Sequence, residues 1–411
     1  MDKQRRHLRR PALAITGVIA SAAGAIWMIQ PTRPVQATPP GLLRSAVIVG
    51  VVGADGAHFA QERAAQVDTV TIGVSWQSAE PGPDTYDGSY IDSVVQEIRL
   101  AKANALRVII DPGMQYPPAW VFNLGGGTRF VDQYGDVFAG AEDSGNNVVN
   151  AVSDANVRAA EAAYLRHLAS ALPLHDLLAV RTGGGPDGEL RYPDANFRGH
   201  DNCFWAYDSG ARTTSPVPGW IPGTGTSSQA AAFLSYYNTQ LISYGIWIDE
   251  EMAHDFHGLS QLVMLPGWGE RPGVAAQEVA ARLTLGYHEF SEGLDWASLL
   301  PALPDRSHLV AYTTYLDAPD PSATLQNEDP ADYIATLAAP LGMALGGENT
   351  GGGTRVTLRT VVLRASRLHM EFVNWFDEES LVVASQAGRG SAPTFSDIAA
   401  ASRELRASGR G

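Results

Sequence analysis

Short apolar segments rich in Val, Ile and Leu recur along the chain, each followed by a polar or glycine-rich stretch and then by a helical pattern. Eight such segments predict β-strands, at residues 46–52, 67–76, 107–113, 177–185, 261–268, 308–315, 342–349 and 368–375. Nearly continuous apolar strands are typical of burial on both faces, and their alternation with helices predicts a parallel sheet.

The segments between these strands carry helical periodicity, as at Ile91, Val94, Val95 and Ile98. Helices are predicted over residues 90–104, 156–172, 228–254, 274–290, 330–341 and 395–407, the last with Ser396 near its N-cap. Eight strand–helix units without sequence for a second domain predict the α/β class and a (β/α)8 TIM barrel over residues 38–411. An open doubly wound sheet is the alternative, but residues 51–59 fit its glycine-rich phosphate turn poorly.

The first 37 residues differ in kind from the rest. A basic stretch, MDKQRRHLRR, precedes an apolar run of 18 residues from Ala12 to Ile29, and small residues follow at Val35 and Ala37. This arrangement predicts a secretory signal peptide cleaved after Ala37. An uncleaved membrane anchor is the alternative, since the run is just long enough to span a bilayer. Either form places the barrel outside the cytoplasm, with membrane contact expected only through this segment.

Charge and cysteine content narrow the functional classes. The formal net charge is −15, and without residues 1–37 the chain has 23 basic and 43 acidic residues, a charge of −20. Such a chain lacks the basic stripes that nucleic acids require. Cys203 is the single cysteine, which excludes an intrachain disulfide and a cysteine-based zinc site. Glu250, His254 and His257 have a spacing that can bind metal, but a solvated helix face is the simpler interpretation. We expect a monomer with neither cofactor nor metal.

Two glutamates fall at the carboxyl ends of predicted strands, in glycine-rich surroundings. Glu189 follows the fourth strand in GGGPDGELRYP, and Glu348 ends the seventh in ALGGENTGGG, 159 positions later. A barrel would bring both to one rim, where such folds keep their chemistry. Most glycosidases cleave the glycosidic bond with two carboxyl groups that face each other across a cleft. Ordinary loop acids are the alternative interpretation, and it is strongest for either glutamate taken alone.

Polar and aromatic residues near the same rim are suited to binding a carbohydrate substrate, because sugar hydroxyls take hydrogen bonds and apolar sugar faces stack on aromatic rings. The expected substrate-binding residues are Arg191, Tyr192, Asn349, Trp76, Asp111, Trp120, Trp268, Thr313 and Trp375. Tyr116, Trp205 and Tyr315 are further stacking candidates. Core packing is the alternative interpretation for each aromatic residue taken singly.

Two motifs carry a family resemblance. GPDGELRYPD, residues 185–194, resembles the signature of the β-amylases, glycoside hydrolase family 14, and GGENTG, residues 346–351, resembles their second glutamate motif. The likeness extends over roughly residues 45–375, for example at NCFWAYD and AARLTLGYHEF. The resemblance implies a (β/α)8 barrel that hydrolyses glycosidic bonds with inversion, with α-1,4-glucans the favoured substrate. It further implies that Glu189 is the general acid and Glu348 the general base.

This chain also departs from the β-amylase pattern. The family's signature loop after the third strand is absent, Gly73 stands where the family has a sugar-binding aspartate, and Asp187 and Asp194 replace small residues within the first motif. Residues 80–121 resemble instead the family 42 β-galactosidases, in which a Glu-Pro-x-x-Gly-x-Tyr-Asp run precedes a helix and a later Pro-x-Trp. A β-galactosidase-like exo-glycosidase and a non-catalytic carbohydrate-binding barrel therefore stay open as alternatives.

Overall fold

Eight parallel strands close into a barrel. The computed structural model describes residues 47–139, 147–318, 329–388 and 390–408. Its strands are β1 (Ile48–Val52), β2 (Thr69–Gly73), β3 (Arg107–Asp111), β4 (Leu177–Thr182), β5 (Ser260–Leu265), β6 (Leu309–Thr313), β7 (Ala344–Glu348) and β8 (Phe372–Phe376). Each strand pairs in parallel with the next, and β8 pairs with β1. The predicted (β/α)8 barrel and its eight strands are confirmed, with shorter bounds than the apolar segments.

Alternate residues along each strand face the barrel lumen and the surrounding helices. A lumen cluster consists of Ile48, Ile109, Ala179, Leu262, Met264, Val310, Tyr312 and Phe372, all buried. The intervening strand residues, such as Val108, Val180 and Val373, pack into a larger core between the barrel and its helices. Burial on both faces explains why the strands have near-continuous apolar sequences.

Helices surround the barrel. Within the described residues these are α1 (Phe59–Ala64), α2 (Trp76–Ala79), α3 (Gly88–Ala103), α4 (Ala155–Ala171), α5 (Ser209–Thr214), α6 (Ser227–Asp255), α7 (Pro272–Ala280), α8 (His288–Ser291), α9 (Trp296–Ala302), α10 (Pro330–Ala338), α11 (Arg355–Leu368), α12 (Glu378–Ala387) and α13 (Phe395–Ser408). Side chains fix several starts, because Asp87, Asp154 and Thr226 accept hydrogen bonds from the first backbone N–H groups of α3, α4 and α6.

Two helix predictions need correction. The helix predicted over 274–290 is interrupted between α7 and α8, where Arg282 and Leu283 adopt positive φ angles of 61° and 59°. The Glu278 carboxylate accepts hydrogen bonds from the backbone of this interruption, at Leu285 and Tyr287. The last helix begins at Phe395, one residue before the predicted cap; the Thr394 N–H instead donates to the Asp397 carboxylate at 2.9 Å.

Long loops follow β3 and β4 and lie at the carboxyl ends of the strands. This rim holds the loops that carry chemistry in such barrels. No helix in the described part of the chain is both long and apolar enough to cross a bilayer. The predicted signal peptide or anchor, residues 1–37, lies outside the described residues.

Candidate active site

The glycine run after β4 lets the chain fold back tightly before Glu189. A Cβ atom on Gly183 would lie 2.0 Å from the carbonyl oxygen of Gly188, and one on Gly185 would lie 2.4 Å from that of Arg191. Such distances admit no side chain, so glycine is required at both positions. The turn closes where the Gly185 N–H donates to the Glu189 carbonyl at 2.8 Å. This turn places the Glu189 side chain at the carboxyl-end rim.

The Glu189 carboxyl is buried and held by two donors. The Thr314 hydroxyl, just beyond β6, donates to its Oε1 at 2.6 Å, and Arg191 Nε donates to its Oε2 at 2.9 Å. Burial raises the pKa of Glu189 to about 7, although Arg191 and the Thr314 hydrogen bond favour the ionised form. A carboxyl group with that pKa holds a proton for a substantial fraction of the time near neutral pH.

Arg191 joins three carboxylates through three different nitrogens. Besides its contact with Glu189, it binds Asp187 through Nη2 at 2.9 Å and Asp194 through Nη1 at 2.7 Å. Asp187 and Asp194 are the two acidic departures from the β-amylase signature, and both contact the same guanidinium. The negative charge of Asp187 partly offsets the effect of the Arg191 charge on the pKa of Glu189.

Glu348 ends β7 with different partners. Arg181, from β4, donates to its Oε1 at 2.8 Å, and the Tyr312 hydroxyl, from β6, donates to its Oε2 at 2.9 Å. The Asn374 side-chain amide donates in turn to the Tyr312 hydroxyl at 2.7 Å. All four side chains are buried. The two donors together hold the Glu348 carboxyl group in one orientation.

Both glutamates line one cavity of about 340 Å³ at the carboxyl-end rim, hereafter the glutamate cavity. Its lining consists of Arg181, Asp187, Glu189, Arg191, Asp194, Pro266, Glu292, Thr314, Tyr315, Glu348, Asn349, Thr350 and Phe376. Glu292 is a third glutamate in this lining, and burial raises its pKa to about 7 despite the opposing charge of Arg191. The structure thus brings Glu189 and Glu348 together at one rim, where the sequence predicts them.

The expected polar contacts lie in or near this cavity. Arg191 and Asn349 line it. Asn349 also joins two strand ends, since its amide nitrogen donates to the Phe376 carbonyl and its Oδ1 accepts from the Phe376 N–H at 2.8 Å. Asp111 is not part of the lining, but its Oδ2 lies 3.9 Å from Nε of Arg181, which is. Thr313 is fully buried and accepts a hydrogen bond from the Tyr315 N–H at 3.1 Å.

Several expected aromatic contacts are packed away from the glutamate cavity. Tyr192 is buried against Tyr237, with ring centroids 4.0 Å apart, and its hydroxyl donates to the Tyr237 carbonyl. Trp375 belongs to the core between barrel and helices, because its neighbour Asn374 faces the lumen. Trp268 is half-buried beyond β5 and outside the cavity lining. We therefore leave these three out of the proposed substrate site.

Trp76 and Trp120 pack together beside the barrel. Trp76 is fully buried, its Nε1 donates to the Glu80 carboxylate at 2.9 Å, and its ring stacks on Tyr164. Trp120 meets Trp76 edge-on at 6.4 Å and donates from Nε1 to the Glu80 carbonyl at 3.1 Å. Both rings thus anchor the segment after β2 to the loop after β3. Trp205 is likewise buried, whereas Tyr315 lines the glutamate cavity.

Sequence reasoning missed four contributors to the site: Arg181, Tyr312, Thr314 and Glu292. Arg181 carried the clearest signal, since a charged residue inside an otherwise apolar strand requires a buried partner. Tyr312 lies in the apolar strand β6, so the pattern predicts a core residue and gives no indication that its hydroxyl contacts Glu348. Thr314 and Glu292 become significant only once the barrel brings their loops beside Glu189.

The cysteine and the histidines that the sequence offered as candidate reactive or metal-binding residues lie outside the glutamate cavity. Cys203 is buried, and burial raises the pKa of its thiol to about 12, as expected of a packed rather than a reactive cysteine. His254 is exposed and contacts Asp255. Among the described residues, no group of three or more His, Cys, Asp or Glu side chains is arranged to hold a metal ion.

Solved structures share this fold at low sequence identity. The catalytic domain of β-amylase from Paenibacillus polymyxa matches with a TM-score of 0.63 and 16% identity, covering 82% of this chain and 93% of that one. The β-galactosidase from the psychrophilic Marinomonas ef1 matches with a TM-score of 0.58 and 13% identity, covering 89% and 59%. The β-galactosidase from Bacillus circulans sp. alkalophilus matches with a TM-score of 0.57 and 13% identity, covering 88% and 56%. No protein-family model and no curated protein matches the sequence.

Proposed function

We propose that this protein is a glycoside hydrolase that cleaves O-glycosidic bonds of oligo- or polysaccharides with Glu189 as general acid and Glu348 as general base. The observation that carries the proposal is the pair of glutamates lining one cavity at the carboxyl-end rim, each in a different electrostatic environment. Acid–base cleavage of an acetal requires one carboxyl group that donates a proton and a second that accepts one.

Glu189 is suited to the acid role. Its pKa, raised by burial to about 7, lets it arrive protonated at neutral pH and donate to the leaving glycosidic oxygen. The Thr314 and Arg191 donors fix the direction of the carboxyl and stabilise the carboxylate that remains after proton transfer.

Glu348 is suited to the base role. Arg181 and Tyr312 hold its carboxylate within the cavity lining. In the proposed step Glu348 takes a proton from water while the water oxygen bonds to the anomeric carbon, and the bond to the leaving oxygen breaks as Glu189 protonates it. Attack from the face opposite the leaving group inverts the anomeric configuration, as the β-amylase resemblance implies.

For the substrate, we propose an α-1,4-glucan, because the two glutamate motifs resemble those of the β-amylases. A β-galactoside is the second candidate. It is favoured by residues 80–121, whose Glu80 and Trp120 contact each other in the structure. The basic and apolar N-terminal segment supports an extracytoplasmic location for the enzyme.

A substrate panel tests the proposal. The protein is incubated with maltooligosaccharides and aryl β-galactosides, and released sugars are followed, with NMR of the freshly formed anomer. Hydrolysis of the maltooligosaccharides with inversion supports the β-amylase-like form, whereas cleavage confined to β-galactosides supports the second candidate. Tight binding of an oligosaccharide without turnover would instead identify a non-catalytic binding barrel.

A further inference from the structure

A second cavity, of about 260 Å³, lies beside the loop that follows β3. We call it the Tyr116 cavity. It is lined by Gln77, Gln115, Tyr116, Pro117, Ala119, Phe122, Arg129 and Asn147. In (β/α)8 barrels, the loops that follow strands build the substrate face. The cavity occupies the region where the β-amylase signature loop is missing from the sequence.

The lining of the Tyr116 cavity has the chemistry of a site for a neutral sugar. The Tyr116 side chain is 44% exposed, which leaves its ring available to the apolar face of a pyranose. Three side-chain amides, from Gln77, Gln115 and Asn147, offer both donors and acceptors to hydroxyl groups. Arg129 Cζ lies 4.1 Å from the centroid of the Phe122 ring, a cation–π contact that holds the guanidinium against the wall. The described lining contains no carboxylate, in contrast to the glutamate cavity.

The platform under Tyr116 is held in place before any ligand binds. The Tyr116 N–H donates to the Gly113 carbonyl at 3.0 Å, and its own carbonyl accepts from the Gln77 N–H at 2.9 Å. Gly113 adopts a φ of +70°, and a Cβ atom there would lie 1.6 Å from the Val74 carbonyl oxygen. The loop therefore docks directly on the segment after β2. A preformed aromatic platform reduces the entropy lost on binding.

Contacts between the linings place the two cavities next to each other. The Gln115 amide donates to Asp111 Oδ2 at 3.2 Å, and the same oxygen lies 3.9 Å from Arg181 Nε, whose guanidinium also binds Glu348. A Cβ atom on Gly188 would lie 3.3 Å from the Gln115 amide nitrogen, so Gln115 packs against the residue before Glu189. Burial raises the pKa of Tyr116, and the charges of Asp111 and Asp187 add to the effect.

We propose that the Tyr116 cavity is a second sugar-binding subsite, occupied by a further residue of the same saccharide chain whose scissile bond lies between Glu189 and Glu348. The inference rests on the proposed function and adds a length requirement to it. The substrate is an oligosaccharide that reaches from one cavity into the other, and short glycosides use the glutamate cavity alone. Tyr116 supplies stacking at the distant end and takes no part in the bond cleavage.

A chain-length series separates this role from a structural one. We would measure kcat and KM of Tyr116→Ala over maltose to maltoheptaose, or over the corresponding galacto-oligosaccharides if only β-galactosides are cleaved. We expect KM for the long members to rise about tenfold, as loss of one stacking contact allows, with short members and kcat unchanged. Tyr116→Trp should restore the affinity for long members. Tyr134→Ala, which truncates a tyrosine 52% exposed outside both linings, is the matched control and should change neither constant.

The outcomes distinguish the subsite from the enzyme activity. Equal loss over all chain lengths, or no loss at any length, overturns the subsite while leaving the glycosidase intact. If the unaltered protein hydrolyses none of these sugars, the proposed function fails, and calorimetric titration with the same series then tests the cavity by itself. In that case a length-dependent loss of affinity in Tyr116→Ala supports the subsite, and equal affinities of the two proteins overturn it.

Discussion

Arg181 in β4 reaches Glu348 in β7 through the barrel lumen, and its Nη2 donates to Oε1 at 2.8 Å. Both side chains are buried, so neither charge is compensated by bulk water. Removing one partner from such a pair leaves an uncompensated buried charge, which is strongly destabilising. Arg181 thus orients the Glu348 carboxylate at the proposed reaction centre. A variant that lacks either partner should also be less stable.

Tyr312→Phe should lower kcat while leaving the fold intact. The substitution removes the hydroxyl that donates to Glu348 at 2.9 Å and keeps the ring in the lumen cluster. A hydrogen bond to a charged group contributes about 1.5–3 kcal/mol, so kcat should fall roughly 10- to 100-fold. Tyr164→Phe is the control, since it removes a buried hydroxyl that bonds to the Pro112 carbonyl. Steady-state kinetics in which both variants lose the same activity would argue against a specific role for Tyr312.

The activity should fall as pH rises through about 7. A general acid must be protonated, and burial raises the pKa of Glu189 to about 7, so the active form is lost above that pH. The Asp187 anion also contributes to raising this pKa, so Asp187→Asn should move the falling limb of kcat/KM to lower pH. Asp92→Asn, at an exposed position on α3, should leave the pH profile unchanged. If Asp187→Asn left the falling limb of the kcat/KM profile at the same pH, or moved it to higher pH, the electrostatic role of Asp187 would be contradicted.

Gly346→Ala should destabilise the barrel. A Cβ atom at Gly346 would lie 2.8 Å from the Tyr312 ring and 3.0 Å from the Phe372 Cβ, both in the lumen cluster. Overpacking of this kind typically costs about 1–3 kcal/mol. Gly88→Ala, at the first residue of α3, is the control because nothing lies within 4 Å of its added Cβ. Urea unfolding curves that show equal stability for the two variants would disprove this packing argument.

Stability should decline as pH rises from about 4.5 to about 9 because of a buried carboxyl, that of Glu62, beside the barrel. Burial and then the charge of Glu378 raise the pKa of Glu62 from 4.5 to about 9. The folded state therefore holds a proton that the unfolded state loses, and the free energy of unfolding falls as pH rises between those values. Glu62→Gln should flatten this decline, and Glu250→Gln, at an exposed position on α6, should not. Urea unfolding at several pH values measures both slopes, and parallel slopes for Glu62→Gln and the unaltered protein would refute the assignment.

The barrel and the positions of Glu189 and Glu348 are visible in the sequence for a simple physical reason. Strands buried on both faces need apolar residues at nearly every position, which marks each strand directly. Parallel closure then brings every strand's carboxyl end to one rim, so two residues 159 positions apart become neighbours without any knowledge of side-chain packing.

The sequence pattern does not reveal in the same way which side of a strand each residue faces, or where a helix is interrupted. Trp375 and Asn374 are adjacent in β8, and only the strand register decides that Asn374 faces the lumen and Trp375 faces the helices. Tyr192 follows Arg191 directly, yet packs on Tyr237. The interruption at Arg282 and Leu283 depends on positive φ angles that helical periodicity does not register. Each of these features is set by tertiary contacts rather than by the local pattern.

The most direct test of the two-glutamate mechanism compares Glu189→Gln and Glu348→Gln with the unaltered protein on whichever glycoside it hydrolyses best. Each glutamine keeps the shape of the side chain but can neither donate nor accept the catalytic proton. We predict that kcat/KM falls by about 10²–10⁴-fold in each variant, the usual contribution of a positioned acid or base. Circular dichroism should show both variants folded at the assay temperature, with a lower free energy of unfolding for Glu348→Gln because Arg181 loses its buried partner charge. Retention of full hydrolytic activity by either variant would contradict the assignment of Glu189 and Glu348 as the catalytic pair.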